Sequence, residues 1–204
     1  MPHRAGTKSW NTKDGHSPIT TFFNSISPIS DAAKMLIDRQ TYLTSFARGR
    51  YLIKPGDAAD NLYLVLKGVI RGFLKEKDKE ITTWINAENE IVGSIRGLGL
   101  KTTTNEYVQA IEAAQLIVIP YSLVEELYEK YPETNIVGRK LLEESYRDAE
   151  ERAYICRITS AMRRYERFME TKKDLINRIA LKYIASYLGM TIETLSRIRS
   201  RMAG

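Results

Sequence analysis

Between residues 46 and 120 apolar and polar positions alternate in short runs: "RYLIK", "NLYLVLK", "VIRGFLK", "EITTWIN", "EYVQAIE" and "QLIVIP". Each is rich in Val, Ile, Tyr or Thr, whose branched and aromatic side chains suit a pleated, half-buried surface. Each is also too short for a stable helix. Turn formers separate the runs at Pro55-Gly56-Asp57, Lys67-Gly68, Lys77-Asp78 and Glu88-Asn89. Strands at near-even spacing, with no long helix between them, predict an antiparallel barrel or a double-sheet roll.

The periodicity on either side is helical. "ISPISDAAKMLIDRQTY" begins with a Ser/Asp start signal and predicts a short helix before the strands. Pro120 closes the strand region, and "YSLVEELYEKYP" predicts a helix ended by Pro132. Next comes "ETNIVGRKLLEESYRDAEERAYICRI", free of proline and rich in helix formers. Val137, Leu141 or Leu142, Ser145, Ala149 and Ala153 form a lean stripe along it. So lean a stripe suits close packing of one helix on another, which predicts a dimer contact; the alternative is a helix lying on its own roll. "SAMRRYERFMETK" and "LINRIALKYIASYL" are amphipathic and lead into "GMTIETLSRIRSR". The pattern gives a flexible tail over 1–24, a roll over 25–131, a long helix over 132–156 and a helical domain over 157–204. The fold class is α+β.

The last stretch has the requirements of a helix-turn-helix. Ala185 is the small residue that lets two helices approach, and Gly189 can take the left-handed conformation that ends the first. Ile184, Leu188, Met190, Leu195 and Ile198 are apolar where the pair must be buried. Thr191 suits the N-cap of the second helix and Glu193 its positive end. If Leu195, Ile198 and Met202 face inward, Glu193, Ser196, Arg197 and Ser200 share the outer face, with groups suited to base edges. Lys182, Thr191, Thr194, Arg199 and Arg201 flank that face and are candidate phosphate contacts. The alternative is a structural helical hairpin with solvated arginines.

Charge separates these readings. The chain carries +6 overall. From Arg157 onward there are 11 Lys/Arg against 4 Asp/Glu, a net +7, so the remaining residues are close to neutral. Such a local positive field points to a polyanion, here double-stranded DNA. A single cysteine, Cys156, excludes an internal disulfide and a multi-cysteine metal site. It is either a redox switch or a small packed apolar residue. His3 and His16 both fall in the expected tail, which leaves the folded part without histidine for general-base or metal chemistry and argues against an enzyme. No apolar run approaches a membrane span and the N-terminus lacks a secretory signal, so a cytoplasmic protein without membrane contact is expected.

A β-roll, a long helix and a C-terminal helix-turn-helix in this order resemble the Crp/Fnr family of bacterial transcription regulators over about residues 25 to 204. "RYERFM…RIALKYIASYLGMTIETLSRIR" looks like the Bacteroidetes-type branch, and "IKPGDAADNLYLVLKGVIRGFL" resembles the family's strand–turn–strand repeat, with Gly56 and Gly68 at its turns. The resemblance implies a jelly-roll sensor domain and a homodimer, joined by the long helix, on a pseudo-palindromic site. Glu193 and Arg197 would be base readers, and RNA polymerase becomes a candidate partner. Ile192 stands where many members have a further arginine, so the operator is expected to differ. No β-hairpin wing follows the second helix before Gly204.

The effector site departs from the family. Cyclic-nucleotide-binding members place a glutamate on the ribose and an arginine on the cyclic phosphate. The matching stretch here is "IVGSIRGLGLKTTTNEYVQAIE". Gly93 is retained, but Ser94 stands at the glutamate and Thr104, beside Asn105, at the arginine. Arg96 or Lys101 could replace the lost cation. Without both anchors a phosphate forfeits ~1.5–3 kcal/mol for each charged hydrogen bond, which argues against cyclic AMP. Iron–sulfur and haem sensing lack their ligands. An unidentified small-molecule effector, or a roll that only supports the dimer, is left. The alternative function is a small-ligand signalling module without productive DNA binding.

Overall fold

The computed structural model describes residues 10–12, 14–100 and 102–203. Two short helices come first, α1 (Pro18–Ile26) and α2 (Asp31–Gln40). A serine starts each: Ser17 Oγ accepts from the Thr20 N–H and Ser30 Oγ from the Ala33 N–H, satisfying amides the helix itself leaves free. Helix α1 shortens the expected tail. Its Ile19 and Phe23, one turn apart, are buried with Ile37, Leu123 and Val137. Asp38 ties down the approach, accepting from the Ser17 N–H at 2.7 Å and the Thr20 hydroxyl at 2.6 Å, with His16 Nδ1 at 2.6 Å. His16 thus belongs to the folded part, contrary to expectation. His3 lies outside the described residues. The polar flanks of "SPITTFF" concealed an apolar pair at i and i+4.

Eight strands follow among the described residues: β1 (Tyr42–Phe46), β2 (Tyr51–Ile53), β3 (Asn61–Lys67), β4 (Ile70–Glu76), β5 (Lys79–Asn86), β6 (Ile91–Val92), β7 (Tyr107–Ala110) and β8 (Ala114–Pro120). They form two antiparallel sheets, ordered β1-β8-β3-β6 and β2-β7-β4-β5. The chain crosses repeatedly between the sheets, as a double-sheet roll requires. Ile53, Val65, Ile70, Val108, Leu116 and Val118 belong to one buried cluster of the roll. All six predicted strands are present. The two additions are β1, hidden directly behind a helix, and β6, which exists only through Tyr63 and Leu64 pairing with Val92 and Ile91. Gly68, at φ +100°, makes the tight β3–β4 turn; a Cβ there would meet the Ala113 carbonyl oxygen at 2.7 Å.

The helical half comprises α3 (Tyr121–Lys130), α4 (Thr134–Arg157), α5 (Ala161–Thr171), α6 (Leu181–Tyr187) and α7 (Ile192–Ala203). The long helix matches its prediction within a residue or two. Val137 is buried against its own domain, whereas Leu142, Ser145, Ala149 and Ala153 of the same stripe are exposed. The expected continuous helix over 175–188 is broken. A 3₁₀ turn spans Lys173–Leu175, turns follow, and α6 begins only after Ala180, which is extended at ψ 138°. Leu175 and Ile179 are buried on one side of that break, while the Arg178 side chain is bonded to the roll. These tertiary contacts override the helix propensity of the segment.

Candidate functional site

The α6–α7 pair is built as the residue pattern requires. Ile184, Ala185, Leu188, Leu195 and Ile198 are buried together with Tyr165 and Phe168 of α5. Gly189 sits at φ +62° between the helices. Its N–H reaches the Ser186 carbonyl at 3.2 Å, and the Met190 N–H reaches that of Ala185 at 3.0 Å, closing the first helix. Thr191 caps the second: its Oγ1 accepts from the Thr194 N–H at 3.2 Å and contacts the Thr194 hydroxyl at 3.1 Å. Met202 was expected inside but is 43% exposed, because the apolar cover of α7 ends at Ile198.

Glu193, Ser196, Arg197 and Ser200 are all exposed on one side of α7. The Ser200 hydroxyl donates to the Ser196 carbonyl at 3.1 Å, so it lies close along the helix. The Glu193 carboxyl is held below the usual range by its own backbone N–H and the Thr191 hydroxyl, with Arg197 adding to the effect. Arg199, Arg201, Thr191 and Lys182 are exposed beside this face, and Thr194 is half-buried in the cap. The Lys182 ammonium lies 4.8 Å from the Tyr183 ring centre. The hairpin therefore offers a carboxylate, hydroxyls and a guanidinium in a row, with cations at both flanks.

Of the predicted pocket residues, two come into contact. Ser94 and Thr104 are buried and their hydroxyl oxygens are 2.7 Å apart. Gly93 is buried against Leu62, where a Cβ would approach Leu62 Cδ2 to 2.9 Å. Arg96 and Asn105 are exposed. Lys101 lies outside the described residues. Sequence reasoning missed the nearest buried charge, Glu106, which is 4% exposed. Its Oε1 accepts from Trp84 Nε1 at 2.9 Å and from the Thr83 hydroxyl at 3.2 Å. The alternating pattern of β7 was the available signal: Glu106 precedes inward-facing Val108 by two. An open groove of about 970 Å³ runs past Glu106 and Trp84 to Ile95 and the exposed Leu142 and Tyr146 of α4.

Also missed were the residues by which the helical domain rests on the roll. Arg178 bonds Glu88 and Glu112, Ser186 bonds the backbone of β5, and the buried Arg71 guanidinium lies between the rings of Phe73 and Tyr183. Cys156 is exposed, next to the buried Ile155. No helix among the described residues is long and apolar enough to cross a membrane.

Residues 43–131 match the cyclic nucleotide-binding domain family. Over 167 residues the chain is 25% identical to the transcriptional activator protein Anr of Pseudomonas protegens, which covers 76% of this chain and 67% of that protein. A protein of Eubacterium rectale assigned to the Crp/Fnr family of transcriptional regulators has the same fold, with a TM-score of 0.68 at 17% identity over 87% of this chain and 85% of the other. FixK2 of Bradyrhizobium japonicum superposes with a TM-score of 0.64 at 20% identity over 80% and 84%.

Proposed function

We propose that this chain, with its cyclic nucleotide-binding-type roll followed by a helix-turn-helix, is a Crp/Fnr-type, DNA-binding transcription regulator, and that its hairpin is of the Bacteroidetes-type branch. One observation carries the reading: Glu193, Ser196, Arg197 and Ser200 stand exposed on a helix fixed from behind by Leu195 and Ile198, in the basic quarter of the chain. A helix presented in this way fits the major groove, where arginine pairs with guanine and glutamate with the cytosine amino group. Similarity to an activator and to family structures of the same architecture supports it.

The working unit is a homodimer on a pseudo-palindromic site. The support is α4, whose Leu142, Tyr146 and Tyr154 are 68%, 66% and 54% exposed, the first two along an open groove. A second copy of α4 would cover that surface. RNA polymerase is the candidate protein partner and the cytoplasm the compartment.

The roll is a sensor with a changed pocket. Ser94 and Thr104 contact each other where the family binds the ribose and the phosphate, and the buried Glu106 follows two residues later. An unidentified small molecule, rather than a cyclic nucleotide, is the effector this chemistry favours. Selection from random duplexes at stated salt, followed by gel shift, tests the proposal. A two-fold-symmetric consensus is expected, and no complex at low salt would overturn it.

A further inference from the structure

We propose that Arg178 and Ser186 are positioning residues for DNA reading: they fasten the α6–α7 hairpin to the roll and so set the separation of the two reading helices in a dimer. The inference rests on the DNA-binding reading above and adds what determines the permitted operator.

The bonds cross from one domain to the other. Arg178 donates to Glu88 at 2.9 and 2.7 Å and to Glu112 at 3.2 and 2.8 Å, a guanidinium forked between two carboxylates of the roll. Such planar, charge-assisted pairs fix orientation as well as distance. Ser186 enters the sheet edge. Its hydroxyl accepts the Thr82 N–H at 2.9 Å and donates to the Glu80 carbonyl at 2.7 Å. β5 ends its sheet, so the serine stands where a neighbouring strand would otherwise bond. Lys172 adds an ion pair to Glu90 at 3.2 Å. Between these ties, Val69, Ile85 and Ile111 of the roll share a buried cluster with Leu175, Ile179 and Ile184. Arg71, 2% exposed, stacks 4.0 Å from the centres of both Phe73 and Tyr183.

The covalent link alone would not hold this pose. Only Ile158–Ser160 separate α4 from α5. The side-chain ties to the roll fix the orientation of α6 together with the buried cluster and the Arg71 stack, and α7 is fixed to α6 through Leu195 and Ile198. A reading head on a loose link accepts a range of half-site spacings, whereas one fastened to the roll accepts a single spacing, since separation of the recognition helices dictates separation of half-sites. Arg178 and Ser186 lie outside the α7 face, so they act on spacing and not on base identity. Arg178 is likewise removed from the pool of phosphate-binding cations, because its guanidinium is already paired.

The test uses the full chain and the selected operator, with half-sites moved apart or together by one and two base pairs. The wild type should lose about tenfold or more in affinity at each shifted spacing, comparable to the loss for a mismatched base pair. Arg178→Ala combined with Ser186→Ala should flatten this profile to within about threefold, while affinity for a single half-site stays as in the wild type. Should that variant not fold, Glu88→Ala with Glu112→Ala and Ser186→Ala removes both carboxylate acceptors of Arg178 and the serine tie, and the same flattening is expected. A folded variant that keeps the sharp wild-type profile overturns the inference. If the wild type binds no duplex, the DNA-binding reading fails first and the two failures are distinguishable.

Discussion

The hydroxyls of Ser94 and Thr104 face each other at 2.7 Å inside the roll, and Thr104 Oγ1 also accepts the Glu106 N–H at 3.0 Å. These two positions were paired in the sequence by resemblance alone, and the fold brings them into contact. The two hydroxyls are turned on each other, and neither side chain is a cation that could pair with a phosphate. A cyclic phosphate placed there would lose ~1.5–3 kcal/mol for each charged bond it fails to make, with the Glu106 carboxylate as a neighbour. Calorimetric titration with cyclic AMP or cyclic GMP should therefore give no saturable heat at micromolar ligand. Stoichiometric binding of either nucleotide would contradict this account of the pocket.

Arg197 and Lys182 are both exposed cations of the hairpin, but they stand on different surfaces: Arg197 on the outer face of α7, Lys182 at the start of α6. Loss of a guanidinium that forks onto a guanine costs about 1–3 kcal/mol and relaxes preference at that base. Loss of a phosphate contact weakens all duplexes alike and lowers the salt slope by about 1. Arg197→Ala should thus broaden the selected consensus at one position per half-site. Lys182→Ala should leave the consensus intact and reduce the salt dependence. Equal losses on every sequence for both variants would reverse the assignment.

The order of elements was readable because period-2 and helical periodicity alternate cleanly along the chain and glycine or proline marks most boundaries. The hairpin was readable for a stronger reason: Ala185, Gly189, Thr191 and the buried apolar positions are local requirements of one turn, so spacing alone specifies them. What escaped were features created by distant partners. β6 is a strand only because β3 lies beside it. Arg178 breaks the expected helix because Glu88 and Glu112 sit 90 and 66 residues away in sequence. Ser186 looks like a solvent position until an edge strand is laid against it. Met202 failed in the opposite direction, since periodicity continues past the point where the neighbouring helices end.

Gly189 is held at φ +62°, and no atom beyond its chain neighbours lies within 4 Å of where a Cβ would stand. Substitution there meets backbone strain and no clash, which isolates one cause. Gly189→Ala should lower unfolding free energy by about 1–2 kcal/mol, the cost of the left-handed region for an L-residue. Gly189→Asn should lose less, because asparagine tolerates that region. Urea unfolding of the two variants beside the wild type measures the difference. Equal destabilisation by alanine and asparagine would point to packing in place of backbone conformation.

Glu88 supplies a pH test of the contact between the roll and the hairpin. Hydrogen bonds from Arg178 bring its carboxyl down to about 2 from an ordinary 4.5, against the upward push of partial burial. Because the folded value is the lower one, the unfolded chain binds more protons between these values, and stability falls as pH falls. The contribution is complete above the ordinary value and is lost progressively as pH drops from about 4.5 towards 2. Urea unfolding across that range should show a steeper acid loss for the wild type than for Glu88→Gln, which has no carboxyl to titrate at this position. Above this range the variant should be the less stable protein, since Arg178 then keeps only a neutral acceptor at residue 88. Parallel acid profiles for the two proteins would mean that the Arg178–Glu88 pair contributes nothing to holding the hairpin on the roll.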